Sequence, residues 1–206
     1  MKKKFLKQKG GYTILETMVA VSLFLVIAVT GMGTLLNANL LSQKSQDVRS
    51  IIDNLSFVIE DMSRNMRTTG ASSFHCFVTG DSIPSVSSPV VSTPKSCASG
   101  WGIAFEPATG NDTNNDDQWI YYISGTGKIY KATQGPYTAS NFVLLTPDEV
   151  VIDAASSFAV LGAESSATNS QQPLIMIRLV GKITLKNNVV TPFSLQTSVS
   201  QRVLDI

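Results

Sequence analysis

One histidine and two cysteines occur in 206 residues, and that scarcity excludes a good deal of chemistry. A structural zinc site needs four ligands, which His75, Cys76 and Cys97 cannot supply. The same histidine has no G-x-S-x-G or comparable context to make it a general base for one of the many serines. It reads as a loop residue beside Cys76. Phosphate-binding glycine loops, dinucleotide fingerprints and zinc-helix motifs are missing as well. The sequence therefore points to no enzyme and no cofactor. Charge is the last absence, because none falls between Glu16 and Lys44.

That uncharged run is the dominant feature of the chain. Lys2, Lys3, Lys4, Lys7 and Lys9 precede it, followed by Gly10-Gly11 and Tyr12-Thr13-Ile14-Leu15-Glu16. Met18 to Leu36 alone, at about 1.5 Å per helical residue, crosses most of a bilayer core of roughly 30 Å. A secretory signal peptide would have an apolar core of only about 7–15 residues and an A-x-A-like cleavage site. Asn37-Ala38-Asn39 lacks the small residue at the first site position. A plain anchor oriented by its lysines explains the length and the basic flank. It leaves Glu16 without a reason, since a carboxylate within an apolar run is costly and marks function by default.

Gly11-Tyr12-Thr13-Ile14-Leu15-Glu16 followed by the apolar run closely resembles the prepilin signal of the type IV pilin and type II secretion pseudopilin family. In that family a glycine, the cut site, an aromatic residue (usually Phe), Thr, two aliphatics and Glu follow one another. Tyr12 in place of Phe is a mild departure. The resemblance implies that a prepilin peptidase cuts after Gly11 on the cytoplasmic face and methylates the new amine of Tyr12. Thr13 and Glu16 are then assembly residues, with Glu16 recruiting the amine of a neighbouring subunit. Implied partners are the lipid bilayer, sibling pilins or pseudopilins in a filament tip, and an inner-membrane assembly platform. Among family members a J-type minor pseudopilin, or a minor pilin like it, fits the long chain and the helix-then-sheet order. Glu16 argues against the K-type tip subunit, while H-type, I-type and competence pseudopilins stay open. A membrane-anchored extracytoplasmic binding module that does not assemble is the alternative from another class.

Composition agrees with a single-pass protein bearing one globular domain. Without the five leader lysines, 11 basic residues face 15 acidic ones, a balance of −4, so no basic patch points to nucleic acid. Val48, Ile51, Leu55, Ile59, Met62 and Met66 recur at helical spacing. Arg49 with Asp53, and Glu60 with Arg64, stand where pairs on the solvent side would be worth a few tenths of a kcal/mol. Gly70 is placed to end the helix. Gly31 and Gly33 mark either a site of bending or melting, or close packing of small residues in a membrane.

Downstream, Ala71 to Gly100 reads as a long loop, since Pro84, Pro89 and Pro94 exclude a helix or a central strand. Cys76 and Cys97 bracket it. A bridge between them would be worth about 3 kcal/mol in the chain-entropy model and requires an oxidising compartment, in keeping with a domain in the periplasm or outside the cell. Two free thiols are the alternative. Strands are expected at Trp101 to Phe105, Trp119 to Ser124 and Lys128 to Ala132, the last two joined across Gly125-Thr126-Gly127. Weaker candidates are Phe142 to Leu145, Val150 to Ile152 and Phe158 to Leu161. A stronger pair, Leu174 to Lys186 and Val189 to Val203, turns at Asn187-Asn188. In the last strand Phe193, Leu195, Val199 and Val203 share one parity, so one face is buried. Asp112, Asn114 and Asp116 resemble the first ligands of a calcium loop, but Asp117 and Ile123 occupy the places of the required glycine and glutamate. A polar turn is the better reading.

The expected fold is α+β, a long N-terminal helix whose second half packs on an antiparallel sheet domain. Its parts are a basic leader over 1–11, a transmembrane or filament-core helix over 12–37, an amphipathic continuation over 38–70, and an extracytoplasmic domain over 71–206 with a Ser/Pro-rich loop at 77–99.

Overall fold

A computed structural model gives the structure of the chain and describes residues 10–69, 74–82, 93–111, 114, 116–164, 171–185 and 189–202. The chain divides into two compact units, Met1–Gln46 and Asp47–Ile206. One helix, α1 (Ile14–Arg67), runs through 54 residues. Thr13 starts it by accepting the Glu16 amide on Oγ1 at 3.3 Å and the Thr17 amide on its carbonyl at 3.2 Å. The motif is half of a capping box, with the acid at the third helical position. At the other end the Thr68 and Thr69 hydroxyls donate to carbonyls of Arg64 and Asn65. Arg64 and Arg67 put positive charge at the negative end of the helix dipole. The expected stop at Gly70 lies outside the described residues. Helix continues unbroken through Gly31 and Gly33, so neither residue melts it.

The first unit carries its helix almost wholly exposed, with a window of mean hydropathy 2.3 that is long and apolar enough to cross a membrane. Within its apolar stretch Thr17, Ser22, Thr30 and Thr34 each donate to a carbonyl three or four residues earlier, which satisfies these four hydroxyls without water.

Among its described residues the second unit holds ten strands. β1 (His75–Phe77), β3 (Gly102–Phe105), β4 (Trp119–Ile123), β5 (Ile129–Ala132) and β6 (Val143–Leu144) form one antiparallel sheet in the order β1-β3-β4-β5-β6. β10 (Val190–Ser200), β9 (Leu174–Thr184), β8 (Ser157–Leu161) and β2 (Cys97–Gly100) form the other in that order, and β7 (Val150–Ile152) also pairs with β9. β9 and β10 stay in register over all their residues, from Thr184 opposite Val190 to Leu174 opposite Ser200. Their turn residues Asn187 and Asn188 lie outside the described set, as does Val203. Phe193 and Val199 are buried on the expected parity and Leu195 is half-buried.

From Asp47 onward α1 covers both sheets. Ile51, Leu55, Val58, Met62 and Met66 are buried in one core with Ile103, Phe105 and Ile129 of the first sheet and Phe158, Ile177 and Leu179 of the second. The expected stripe contained Ile59 and not Val58. The structure buries Val58 and leaves Ile59 at the margin; both flank the stripe at equal angles, so packing against the sheets decides between them.

One expectation needs correction. Ala71 to Gly100 is not loop throughout, since β1 and β2 sit near its two ends. β1 pairs with β3 and β2 with β8, so short β-prone runs too brief to stand alone are held by long-range partners. Arg49 with Asp53 and Glu60 with Arg64 form no ion pair among the described residues, in keeping with a solvated helix face. Exposed pairs on a helix gain too little to hold two long side chains together.

Replacing Leu55, fully buried between the sheets, by Ala should cost about 2–5 kcal/mol through lost contact and a residual cavity. Ser56→Ala, on the exposed side, should stay within about 0.5 kcal/mol of the parent. Urea unfolding of the full chain in detergent micelles reads both.

Candidate functional site

The residues singled out for processing and assembly lie together at the helix start. Gly11, Tyr12, Thr13 and Glu16 are all exposed. A Cβ added at Gly10 or Gly11 would meet nothing within 4 Å, so this chain's own packing gives no reason for glycine there. Tyr12 is 83 % exposed and precedes the capped turn. Thr13 has a local role as the cap, and Glu16 sits in the first turn, where a negative charge complements the helix dipole. The T-x-x-E spacing was the available signal for that cap. The five leader lysines lie outside the described residues.

A second constellation joins helix to sheet within the other unit. Asp61 and Asn65 lie one helical turn apart on α1, while Tyr121 of β4 and Lys131 of β5 are direct cross-strand partners. The Tyr121 hydroxyl donates to Asp61 Oδ2 at 2.8 Å and Lys131 Nζ donates to the same oxygen at 2.9 Å. Asn65 Nδ2 donates to Asp61 Oδ1 at 3.0 Å and to the Tyr121 oxygen at 3.1 Å. Lys131 also stands over the Trp119 ring, 4.5 Å from its centroid. Burial works against the Asp61 charge, but the Lys131 ammonium outweighs it with help from Tyr121 and Asn65, and the carboxyl is held below its ordinary value. Burial, reinforced by the neighbouring Asp61 charge, pushes the Tyr121 phenol far up, which keeps it a donor. The chemistry is structural, a polar lock satisfied on every side. Sequence reasoning missed it, although counting the hairpin register outward from Gly125-Thr126-Gly127 pairs Tyr121 with Lys131.

A third group clamps the ends of the Ser/Pro segment. Cys76 and Cys97 form the disulfide, with Cα atoms 5.9 Å apart. Lys95 Nζ reaches Asp81 Oδ2 at 2.7 Å, and the Val78 amide donates to the same oxygen. The Lys95 hydrogen bond, then that amide, draw the Asp81 carboxyl below its ordinary value. His75 Nδ1 lies 2.7 Å from the Thr93 carbonyl oxygen. A Cβ at Gly100 would collide with Cys76 Sγ and the Phe77 carbonyl, so the crossing beside the disulfide requires glycine.

Of the calcium-like residues, Asp112 lies outside the described set. Asn114 Oδ1 accepts the Asp116 amide at 3.2 Å, and Asp117 Oδ2 accepts the Asn111 amide at 2.9 Å. These side chains serve their own turn. No group of three or more His, Cys, Asp or Glu side chains arranged to hold a metal ion occurs among the described residues.

No protein-family model, curated protein or solved structure matches this chain. Its architecture is nonetheless pilin-like: one long N-terminal helix, apolar in its first part, packed by its second part on antiparallel sheet.

The polar lock has a pH signature. A carboxyl whose folded pKa is depressed contributes stability that is complete above the unfolded value, 3.8 for Asp61, and is lost as pH falls through the lower folded one. Asp61→Asn should therefore cost about 1–3 kcal/mol at neutral pH and flatten the decline of stability below about pH 4. Thermal melts of parent and variant at neutral pH and about pH 3 compare the two slopes.

Proposed function

We propose that this chain is a structural subunit, a minor pilin or pseudopilin, that a prepilin peptidase processes after Gly11 and methylates on Tyr12. Its uncovered apolar helix then joins sibling subunits in a type II secretion pseudopilus or a type IV pilus-like filament. The carrying observation is the helix start. A glycine that the fold does not require directly precedes a threonine-capped turn bearing one acid, and uncharged helix follows as far as Lys44. A signal for cleavage explains the glycine, since its constraint comes from outside the chain.

Glu16 supports assembly over simple anchoring. An isolated carboxylate in a low-dielectric layer is strongly penalised, and an opposite charge offsets much of that penalty. Once the leader is removed, the amine on Tyr12 supplies such a charge, either in the same helix or on the next subunit. Before assembly the protein sits in the cytoplasmic membrane by its one helix, with Asp47–Ile206 on the periplasmic or outer side, where the Cys76–Cys97 bridge persists. The chain's role is structural and not enzymatic. Sequencing the neighbouring genes would decide the type of system and test the J-type assignment, with a prepilin peptidase, an assembly ATPase and sibling pilins expected among them.

Co-expression with a prepilin peptidase should remove residues 1–11, read by intact mass, and Gly11→Val should block that loss. Glu16→Gln keeps the side-chain size and removes the charge. Insertion and cleavage should persist while co-purification with sibling pilins falls sharply. Unchanged co-purification of the Glu16 variant would return the protein to a membrane-anchored module that does not assemble.

A further inference from the structure

Within the Asp47–Ile206 unit, Phe57 is 72 % exposed and Leu144 of the edge strand β6 is 42 % exposed. They line the same end of a groove between α1 and the chain that leads from β6 to β7. Two adjoining pockets of about 350 and 440 Å³ make up this groove, and they share Asn54 and Pro147. Its walls run antiparallel. Asp47 and Glu149 line one end, and Phe57 with Leu144 and Asp148 the other.

The wall is built before any partner arrives. Lys128 Nζ donates to the carbonyls of Pro147, Asp148 and Val150 at 2.9, 3.0 and 2.8 Å, so its three donors hold the loop. Among the described residues no lysine or arginine lines either pocket. Asp53 and Glu60, one turn before and after Phe57 on the helix, form no ion pair among the described residues. Arg49 and Arg64 stand about two turns from Phe57 on either side. The groove thus combines an exposed aromatic anchor, three carboxylates and β6, a strand with no second partner among the described residues.

We infer that this groove docks an extended segment of a partner protein that carries a bulky apolar residue with lysine or arginine beside it. From Asp47 to Phe57 the helix rises about 15 Å, which an extended chain of four or five residues spans. The apolar residue packs on Phe57 and Leu144, the basic side chains meet Asp47, Asp148 and Glu149, and main-chain groups pair with the free edge of β6. The inference does not rest on how the N-terminal segment is used.

A photo-cross-linking phenylalanine analogue placed at position 57 of the full-length protein in its native membranes tests the inference. The same analogue at Leu161, 46 % exposed elsewhere in the domain, is the control. Position 57 should yield a protein adduct that position 161 lacks, and the cross-linked partner peptide should contain lysine or arginine within about five residues. Asp148→Lys with Glu149→Lys, or about 1 M salt, should lower the yield about tenfold, because exposed charge pairs are screened within roughly 3 Å at that strength. No adduct at 57, a lipid adduct alone, a mapped peptide without basic residues, or a yield indifferent to both charge reversal and salt would overturn it. Intact mass of the same samples reports cleavage after Gly11 separately, so a failure of processing is not mistaken for a failure of docking.

Discussion

Ile51, Leu55, Val58, Met62 and Met66 are the side chains that both sheets share. Neither sheet has another helix to bury its apolar face among the described residues. Fully burying each aliphatic side chain is worth about 1.5–3 kcal/mol, so this stripe is where the second unit gains its cohesion. Its consequence is a fixed helix rotation. Once those five positions face the sheets, Asp61 and Asn65 fall at the margin toward β4 and β5, and Phe57 falls outward.

The polar lock and the disulfide clamp then refine what the stripe sets coarsely. Asp61 binds a strand pair to the helix through two donors, Tyr121 and Lys131, with Asn65 of the same helix as a third, and tolerates partial burial because Lys131 stays close. A buried ion pair adds little net stability against an apolar alternative, yet it specifies register strongly, since losing one partner strands the other. The clamp does comparable work where apolar contact is sparse. Cys76 to Cys97, Lys95 to Asp81 and the backbone bonds of Phe74 and Cys76 with Lys95 anchor two short strands in a proline- and serine-rich stretch.

The exposed helix of the first unit follows the opposite logic. Helical backbone groups and the hydroxyls of Thr17, Ser22, Thr30 and Thr34 are satisfied internally, and apolar side chains cover the outside. Such a surface is stable in lipid or against other apolar helices, and it is penalised in water. Gly31 and Gly33, with nothing within 4 Å of an added Cβ, contribute no packing inside this chain and would let another helix approach closely.

Local periodicity was legible in the residues. The long N-terminal helix though not its continuity through Gly31 and Gly33, its apolar stripe but for one position, the Gly125–Gly127 hairpin, the β9–β10 pair and the α+β class could be read from the chain, because spacings of 3.6 and 2 encode which face of an element is buried. The cysteines bracketing the Ser/Pro stretch could be read as a bridge for a related reason, since nothing else in the chain competes for them. Only the tertiary structure decided that Asp61 meets Lys131, that β1 and β2 exist, and that Phe57 stands exposed beside Leu144. Those outcomes depend on which distant segments come together, and the free energy deciding them resides in pairs separated by tens of residues. A pattern confined to one element's neighbours carries no record of such pairs.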